Sequence, residues 1–284
     1  MSTISFLFKA YIAVLFLRWI MTRQELNFNF IGRGVAKITD PILDKKGKLK
    51  SETDRFIPLV IALIILLYGV ILRLFIKYTW DVAITAAFKE MTLFIALFFV
   101  VCVLLGSMAT PSAGILPLFF YRLGNICVNP VRKVMPLRGN MIIIPALLFI
   151  AFLFVVANTA LTYITLILNP SPFNIIPVNM PKMAAASAVV FAMGLTTIIF
   201  GLIVVIIVRA LISWVSPSPG NIIVQLIYYI TEPALAPMRR IVPPLGILDL
   251  SALVTIVLLS FMNRGIIAFL NMIANNAGLY IYML

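Results

Sequence analysis

Six long apolar runs constrain this chain more than any other feature. Each offers about 20 mostly apolar residues, the length that an α-helix needs to cross roughly 30 Å of hydrocarbon. The predicted spans cover residues 4–22, 56–76, 91–108, 141–168, 183–215 and 248–270. Of the 284 residues, 63% are hydrophobic and only 11% are charged, so the chain lacks the polar residues that a water-facing globule needs. The sequence therefore predicts an all-α membrane protein with six transmembrane helices.

The charged residues are mostly basic and concentrate in alternate loops. Lys and Arg number 22 against 9 Asp and Glu. The first, third and fifth loops hold 14 of the basic residues, and the second and fourth hold three. Because cytoplasmic loops carry the excess of Lys and Arg, we expect the odd loops in the cytoplasm and both termini outside. Basic loops beside a bilayer indicate anionic phospholipids as partners and do not indicate nucleic acid.

Residue types that carry catalysis are scarce. The chain has no His, and its two Cys are Cys102 and Cys127. A His-based metal site and a His general base are thus excluded, and no phosphate-binding glycine loop occurs in a usable context. We expect both Cys to be reduced and packed as small hydrophobic residues. The sequence predicts a protein that is not an enzyme and that holds no cofactor or metal.

The three odd loops share a pattern. The fifth loop contains "SPSPGN" and then "TEPALAPMRRIVPPLG", the third contains "TPSAG" and "NPVRKVMPLRG", and the first contains "KITDPILDKKGK". We therefore predict three tandem helix-loop-helix units at 1–76, 77–182 and 183–284, each with a short interfacial helix in its cytoplasmic loop. In the last unit, Asn221 is expected to cap that helix and Pro233 to end it. The alternative is chance similarity among loops rich in Pro and Arg.

The last unit resembles the YggT family of small bacterial membrane proteins, which has relatives in plastids. Arg209, Trp214, "SPSPGN", "TEP", "PMRRIVPPLG" and "LDLS" follow the order and spacing of that family. The first unit keeps Arg18, Trp19 and "TDP" but replaces the arginine pair with "DKKGKLK". Members of the family usually have two units and four spans, so we expect 77–182 to be an inserted or degenerate middle unit.

The resemblance implies a non-enzymatic protein of the bacterial inner membrane. It implies a role in membrane organisation, in the response to osmotic stress, or in the assembly of complexes with other membrane proteins. The alternative is a subunit of an ion or osmolyte channel or transporter. A conduction path normally needs polar groups at membrane depth, and the spans carry few of them, which weakens that alternative.

Four charged residues are predicted to form pairs at the cytoplasmic ends of the spans. Arg209 and Asp249 should lie at similar depth on neighbouring antiparallel helices, and Arg18 and Asp54 are placed alike in the first unit. Pairing would offset much of the cost of placing either charge near hydrocarbon, so the pairs are expected to fix the helices. The alternatives are unpaired side chains that reach the interface, or a path for a solute or proton.

A second set of basic residues is predicted to contact lipid phosphate. The set comprises Arg132, Lys133, Arg239 and Arg240. Arginine suits this contact because its planar guanidinium makes two parallel hydrogen bonds to phosphate oxygens. The alternative is that these residues act as a topology signal and nothing more.

Overall fold

A computed structural model describes residues 2–43, 56–76, 79–108, 115–137, 139–168, 179–215, 220–242 and 250–283. The regular structure in these ranges is helical. The helices are α1 Ser2–Ile20, α2 Arg23–Phe28, α3 Phe30–Leu43, α4 Ile57–Ile76, α5 Trp80–Ser107, α6 Ile115–Val134, α7 Ile143–Leu168, α8 Met180–Val215, α9 Ile222–Ile241, α10 Leu250–Asn276 and α11 Tyr280–Met283. A short 3₁₀ turn, Gly139–Ile142, precedes α7.

Six of these helices are long and apolar enough to cross a membrane: α1, α4, α5, α7, α8 and α10. The predicted fold class, an all-α membrane protein with six spans, is confirmed. The shorter helices α2, α3, α6 and α9 lie in the first, third and fifth connections, where the sequence placed interfacial segments. The third span begins earlier than predicted, because α5 starts at Trp80 and carries Lys89 within the helix. The prediction that Lys89 belongs to a loop was therefore wrong.

Helix α9 runs through the proline that was expected to end it. The side chain of Asn221 accepts a hydrogen bond from the backbone N–H of Ile223 at 2.9 Å, which confirms the predicted N-cap. The helix nevertheless continues past Pro233 and Pro237 to Ile241. Leu235, which lies beyond the first proline, is completely buried, and this packing holds the later turns in place.

The chain divides into two compact units, Met1–Met180 and Pro181–Leu284. In the first, α5 packs against α4, α6 and α7, and a continuous core is built from fully buried residues such as Ile12, Ile57 and Met91. In the second, α9 packs against α10 around a smaller core that contains Ile206, Leu235 and Ala252.

Two glycines let α5 and α6 cross with their backbones in contact. A Cβ atom added to Gly106 would lie 2.7 Å from the carbonyl oxygen of Phe120, and one added to Gly124 would lie 2.9 Å from the carbonyl oxygen of Cys102. Small residues permit such close approach between helices in lipid. This crossing fixes the position of α6, whose basic end is one of the predicted lipid contacts.

Candidate functional site

A buried arginine joins two helices at one end of the second compact unit. The guanidinium of Arg209, on α8, donates hydrogen bonds to Thr231 Oγ1 at 2.6 Å and to Glu232 Oε2 at 2.9 Å, both on α9. The same guanidinium lies 4.1 Å from the ring centroid of Tyr228, a cation–π contact. We call these four residues the C-terminal cluster. It ties the spanning helix α8 to the non-spanning helix α9.

The first compact unit contains a matching arrangement. Arg18, on α1, is buried and donates hydrogen bonds to Thr39 and Asp40 on α3. We call these three residues the N-terminal cluster. In both clusters the threonine hydroxyl donates to the carbonyl four residues earlier, at 2.7 Å, so that its oxygen is free to accept from the arginine. The "TDP" and "TEP" motifs thus supply the same pair of acceptors to an arginine on the preceding span.

The structure therefore supplies acidic partners other than those predicted. Arg18 pairs with Asp40, and Arg209 pairs with Glu232. The predicted partners, Asp54 and Asp249, lie outside the described residues. The threonine and the acid of each cluster were not predicted, although the sequence contains a signal for them. The "TDP" and "TEP" motifs begin 21 and 22 residues after their arginines, and they lie on the short helices α3 and α9.

The middle of the chain has a helix that corresponds to α9, but it lacks the charged residues of the C-terminal cluster. Helices α6 and α9 have the same length, 20 residues, and both ends correspond at the offset of 107 residues that aligns their basic motifs. At that offset Arg209 corresponds to Cys102, Thr231 to Gly124, and Glu232 to Asn125. The corresponding positions of the first compact unit therefore hold a buried thiol, a glycine and an amide.

Helix α6 is attached to the N-terminal part of the chain through a different ion pair. Arg122 donates to both carboxylate oxygens of Glu25, at 2.8 and 2.9 Å, and Thr22 donates to the same carboxylate from its backbone N–H and its hydroxyl. Burial raises the pKa of Glu25, but the bonds from Thr22 and Arg122 outweigh it, so the net pKa lies below its ordinary value of 4.5.

A polar group that the sequence analysis overlooked lies within the spanning helices. The carboxylate of Glu90, on α5, accepts hydrogen bonds from Lys9 Nζ at 2.7 Å, from Tyr68 Oη at 2.7 Å and from Ser5. We call these four residues the Glu90 cluster. It joins α1, α4 and α5. The span was predicted to start after Glu90, and for this reason the residue was assigned to a loop.

The predicted lipid contacts differ in how far their charge is balanced. Arg239 donates to Glu232 Oε1 at 3.0 Å, so one carboxylate serves both Arg209 and Arg239. Arg132, Lys133 and Arg240 are exposed and form no ion pair with any residue in the described ranges. These ranges also contain no group of three or more His, Cys, Asp and Glu that would hold a metal ion.

Comparison with known proteins gives this architecture a family. The family model described as CCB3/YggT matches residues 188–270. An uncharacterized protein encoded in the proC 3' region of Vibrio alginolyticus is 33% identical over 141 residues, which cover 48% of this chain and 67% of that protein. The chain belongs to the YggT family. A second relative, an uncharacterized protein of Haemophilus influenzae, is 34% identical over 80 residues, 27% of this chain and 44% of the relative.

The part that matches the YggT model contains the C-terminal cluster. Residues 188–270 include Arg209, Thr231 and Glu232, and they exclude Arg18 and α6. No solved structure matches the chain. The C-terminal cluster therefore lies within residues 188–270, the part of the chain that matches the family model.

Proposed function

We propose that this YggT-family protein is a non-enzymatic component of the bacterial inner membrane, with both termini outside and its basic helix ends against anionic phospholipid in the cytoplasmic leaflet. In this role it supports membrane organisation, the response to osmotic stress, or the assembly of complexes with other membrane proteins. The proposal rests on one observation: the non-spanning helices α6 and α9 end in exposed basic groups, and Arg132, Lys133 and Arg240 have no acidic partner in the described ranges.

The buried charges support the same proposal by their geometry. Each buried arginine is bound to an acid and to a threonine hydroxyl, so it holds a short helix against a span. Such a clamp sets where the basic helix ends lie relative to the bilayer surface. Unbalanced cations near an anionic leaflet gain about 1 kcal/mol each. The clamps position the helices, and the unpaired cations provide the attraction.

Lipid composition around the protein tests the lipid contact. The protein is extracted in polymer nanodiscs from membranes that contain phosphatidylglycerol and a zwitterionic lipid, and mass spectrometry gives the ratio of the two lipids. We expect enrichment of phosphatidylglycerol around the wild type. A variant with Gln at Arg132, Lys133, Arg239 and Arg240 should lose that enrichment. Equal enrichment in this variant would contradict the proposal.

Co-purification in mild detergent tests the proposed role in assembly. A membrane protein that is recovered in fixed stoichiometry with the wild type, and lost when Glu232→Gln loosens α9, would support it. Recovery of the chain alone from every extraction condition would leave lipid contact as the only supported activity and would contradict the assembly role.

A channel or transporter subunit is the second candidate, and the Glu90 cluster is the observation that favours it. A carboxylate and an ammonium at membrane depth commonly mark a path for ions or protons. Both oxygens of Glu90 already accept hydrogen bonds from its own helix bundle, which favours a structural clamp instead. Selective ion flux in liposomes that contain the purified protein, abolished by Glu90→Gln, would favour the channel. No flux above empty liposomes would exclude it.

A further inference from the structure

A cavity of about 260 Å³ lies beside the crossing of α5 and α6, next to the turn that precedes α7. Its polar lining includes the side chains of Tyr121, Asn125, Arg132, Asn140 and Ser107, and Gly106, Gly124 and Gly139 line it as well. A water molecule takes about 30 Å³ in the liquid, so the cavity is far larger than the hydration of one or two polar groups requires. Among the residues that the structure describes, the lining includes Arg132 and no Asp or Glu.

Residues that line this cavity correspond in sequence to Tyr228 and Glu232 of the C-terminal cluster and to Arg239, which pairs with Glu232. At the offset of 107 residues, Tyr121 corresponds to Tyr228, Asn125 to Glu232, and Arg132 to Arg239. The arginine that fills the C-terminal cluster, Arg209, corresponds to Cys102. The first compact unit therefore keeps the tyrosine and the arginine that corresponds to Arg239, and it lacks the central arginine and its acid.

The charge left behind defines what the cavity attracts. In α9, Arg239 donates to the carboxylate of Glu232, seven residues earlier. In α6 the residue seven positions before Arg132 is Asn125, whose side-chain amide carries no negative charge. Arg132 consequently has a cavity where its counterpart has a carboxylate.

We propose that this cavity binds the phosphate group of an anionic ligand beside Asn125, the residue that corresponds in sequence to Glu232 of the second compact unit. The donors suit phosphate: the guanidinium forms two parallel hydrogen bonds, and the amides of Asn125 and Asn140 and the hydroxyl of Tyr121 add neutral donors. The inference rests on the proposed contact with anionic lipid and narrows it to one cavity. The phosphate comes from a phospholipid headgroup or from a soluble phosphate compound, and the two sources are distinguished by experiment.

Three single substitutions in the full chain test the cavity. Native mass spectrometry measures the phosphatidylglycerol retained by protein in mild detergent. Arg132→Gln should lower the retained lipid about tenfold, because it removes the bidentate donor. Lys37→Gln is the matched control, since it removes an equal charge from an exposed position on α3 that is neither in the cavity lining nor in the predicted lipid-contact set, and it should leave retention near the wild-type level.

Asn125→Glu provides the decisive variant. It restores the acid of the C-terminal cluster at the corresponding position, so an internal carboxylate should pair with Arg132 and displace the ligand. We expect retention to fall although Arg132 is intact, and the melting temperature of the lipid-free variant to rise above that of the lipid-free wild type. Unchanged retention in Asn125→Glu, or equal losses in Arg132→Gln and Lys37→Gln, would overturn the proposal.

Melting temperatures measured with phosphatidylglycerol and with inorganic phosphate identify the source of the phosphate. If a headgroup is the ligand, phosphatidylglycerol raises the melting temperature of the delipidated wild type, and neither inorganic phosphate nor phosphatidylcholine does. If inorganic phosphate raises it by itself, and Arg132→Gln removes the effect, the source is soluble. A null result with both phosphatidylglycerol and inorganic phosphate would overturn the cavity proposal. General enrichment of anionic lipid in nanodiscs would survive that failure, so the two proposals fail separately.

Discussion

At the scale of single residues, the two buried arginines show what a guanidinium requires at the edge of hydrocarbon. Arginine keeps its charge in proteins, so burial demands a counter-charge and acceptors. Arg18 and Arg209 obtain both from one Thr–acid pair on the following short helix. The half-exposed acid keeps contact with the aqueous or headgroup layer, while the guanidinium is nearly enclosed. This division of exposure is the one expected of a charged cluster at the bilayer interface.

We expect Arg209→Met to destabilise the protein by about 2 kcal/mol. Breaking a fully buried pair costs about 3–5 kcal/mol, and the figure is reduced here because Glu232 is 47% exposed and regains hydration. The measurement is the melting temperature in detergent, which should fall by about 4–8 °C. Arg240→Met is the control, since Arg240 is exposed and should cause little change. Similar shifts in the two variants would show that Arg209 does not act as a clamp.

The ion pair between Glu25 and Arg122 predicts a pH dependence. The pKa of Glu25 is lower in the folded protein, so its stabilising contribution is complete above the unfolded pKa of about 4.3 and disappears as the pH falls through the folded value. Glu25→Gln should therefore melt at a lower temperature than the wild type at pH 7, and the difference should shrink between about pH 5 and pH 3. A constant difference across that range would contradict the assignment.

The arginines were visible in the sequence, but the acids that pair with them in the described residues were not predicted. Asp54 and Asp249 were chosen because the acid was expected at the start of the return span, at equal depth. In the structure the described partners come from the short helices α3 and α9, which fold back against the preceding span. Sequence separation does not fix which element returns to a given depth. The recurrence of "TDP" and "TEP" would have found both acids.

At the scale of helices, the crossing of α5 and α6 depends on glycine. Gly106 and Gly124 lie where the two backbones approach most closely, and their added Cβ atoms would meet backbone atoms that cannot move aside. The same crossing leaves the cavity at Arg132 open on one side of α6. A close helix contact and an anion-binding space thus come from the same small residues.

Gly124→Val should separate α5 from α6. Its first added carbon would lie 2.9 Å from the carbonyl oxygen of Cys102 and 3.1 Å from Val103 Cα, and such overpacking costs about 1–3 kcal/mol. The melting temperature should fall. Gly201→Ala is the control, because nothing lies within 4 Å of its added Cβ and the helix propensity of alanine should stabilise it by about 0.5–1 kcal/mol. If Gly124→Val melts at the same temperature as the wild type, the close approach of α5 and α6 does not require glycine at this position.

The helices themselves were predicted well, and their ends less well. Apolar runs of about 20 residues identified all six spans, because lipid offers no alternative partner for backbone groups. The start of α5 was missed because Lys89 and Glu90 appeared as a boundary, whereas Ser5, Lys9 and Tyr68 on other helices satisfy Glu90. The end of α9 was missed because burial of Leu235 outweighs the hydrogen bond that Pro233 removes. Both errors come from tertiary contacts, which local sequence does not contain.

At the scale of the whole molecule, the chain concentrates its basic residues in alternate connections between the spans. Non-spanning helices occur in the first, third and fifth connections, and these connections also hold most of the Lys and Arg. With Lys89 assigned to α5, the second connection loses one of its basic residues and the asymmetry between odd and even connections becomes larger. The charge rule therefore still predicts that the odd connections lie in the cytoplasm.

Reporter fusions check that orientation. Alkaline phosphatase is active only outside the cytoplasm, so a fusion after Leu284 should be active and a fusion at Lys46 should be inactive. Green fluorescent protein, which fluoresces when it folds in the cytoplasm, should give the opposite pattern at the same two positions. Replacing Lys45, Lys46, Lys48 and Lys50 with Gln should raise the phosphatase activity of the fusion at position 46, because positive charge keeps the first connection in the cytoplasm. An active phosphatase at Lys46 in the otherwise unaltered chain would place the basic helix ends outside and would remove the basis for their contact with the anionic cytoplasmic leaflet.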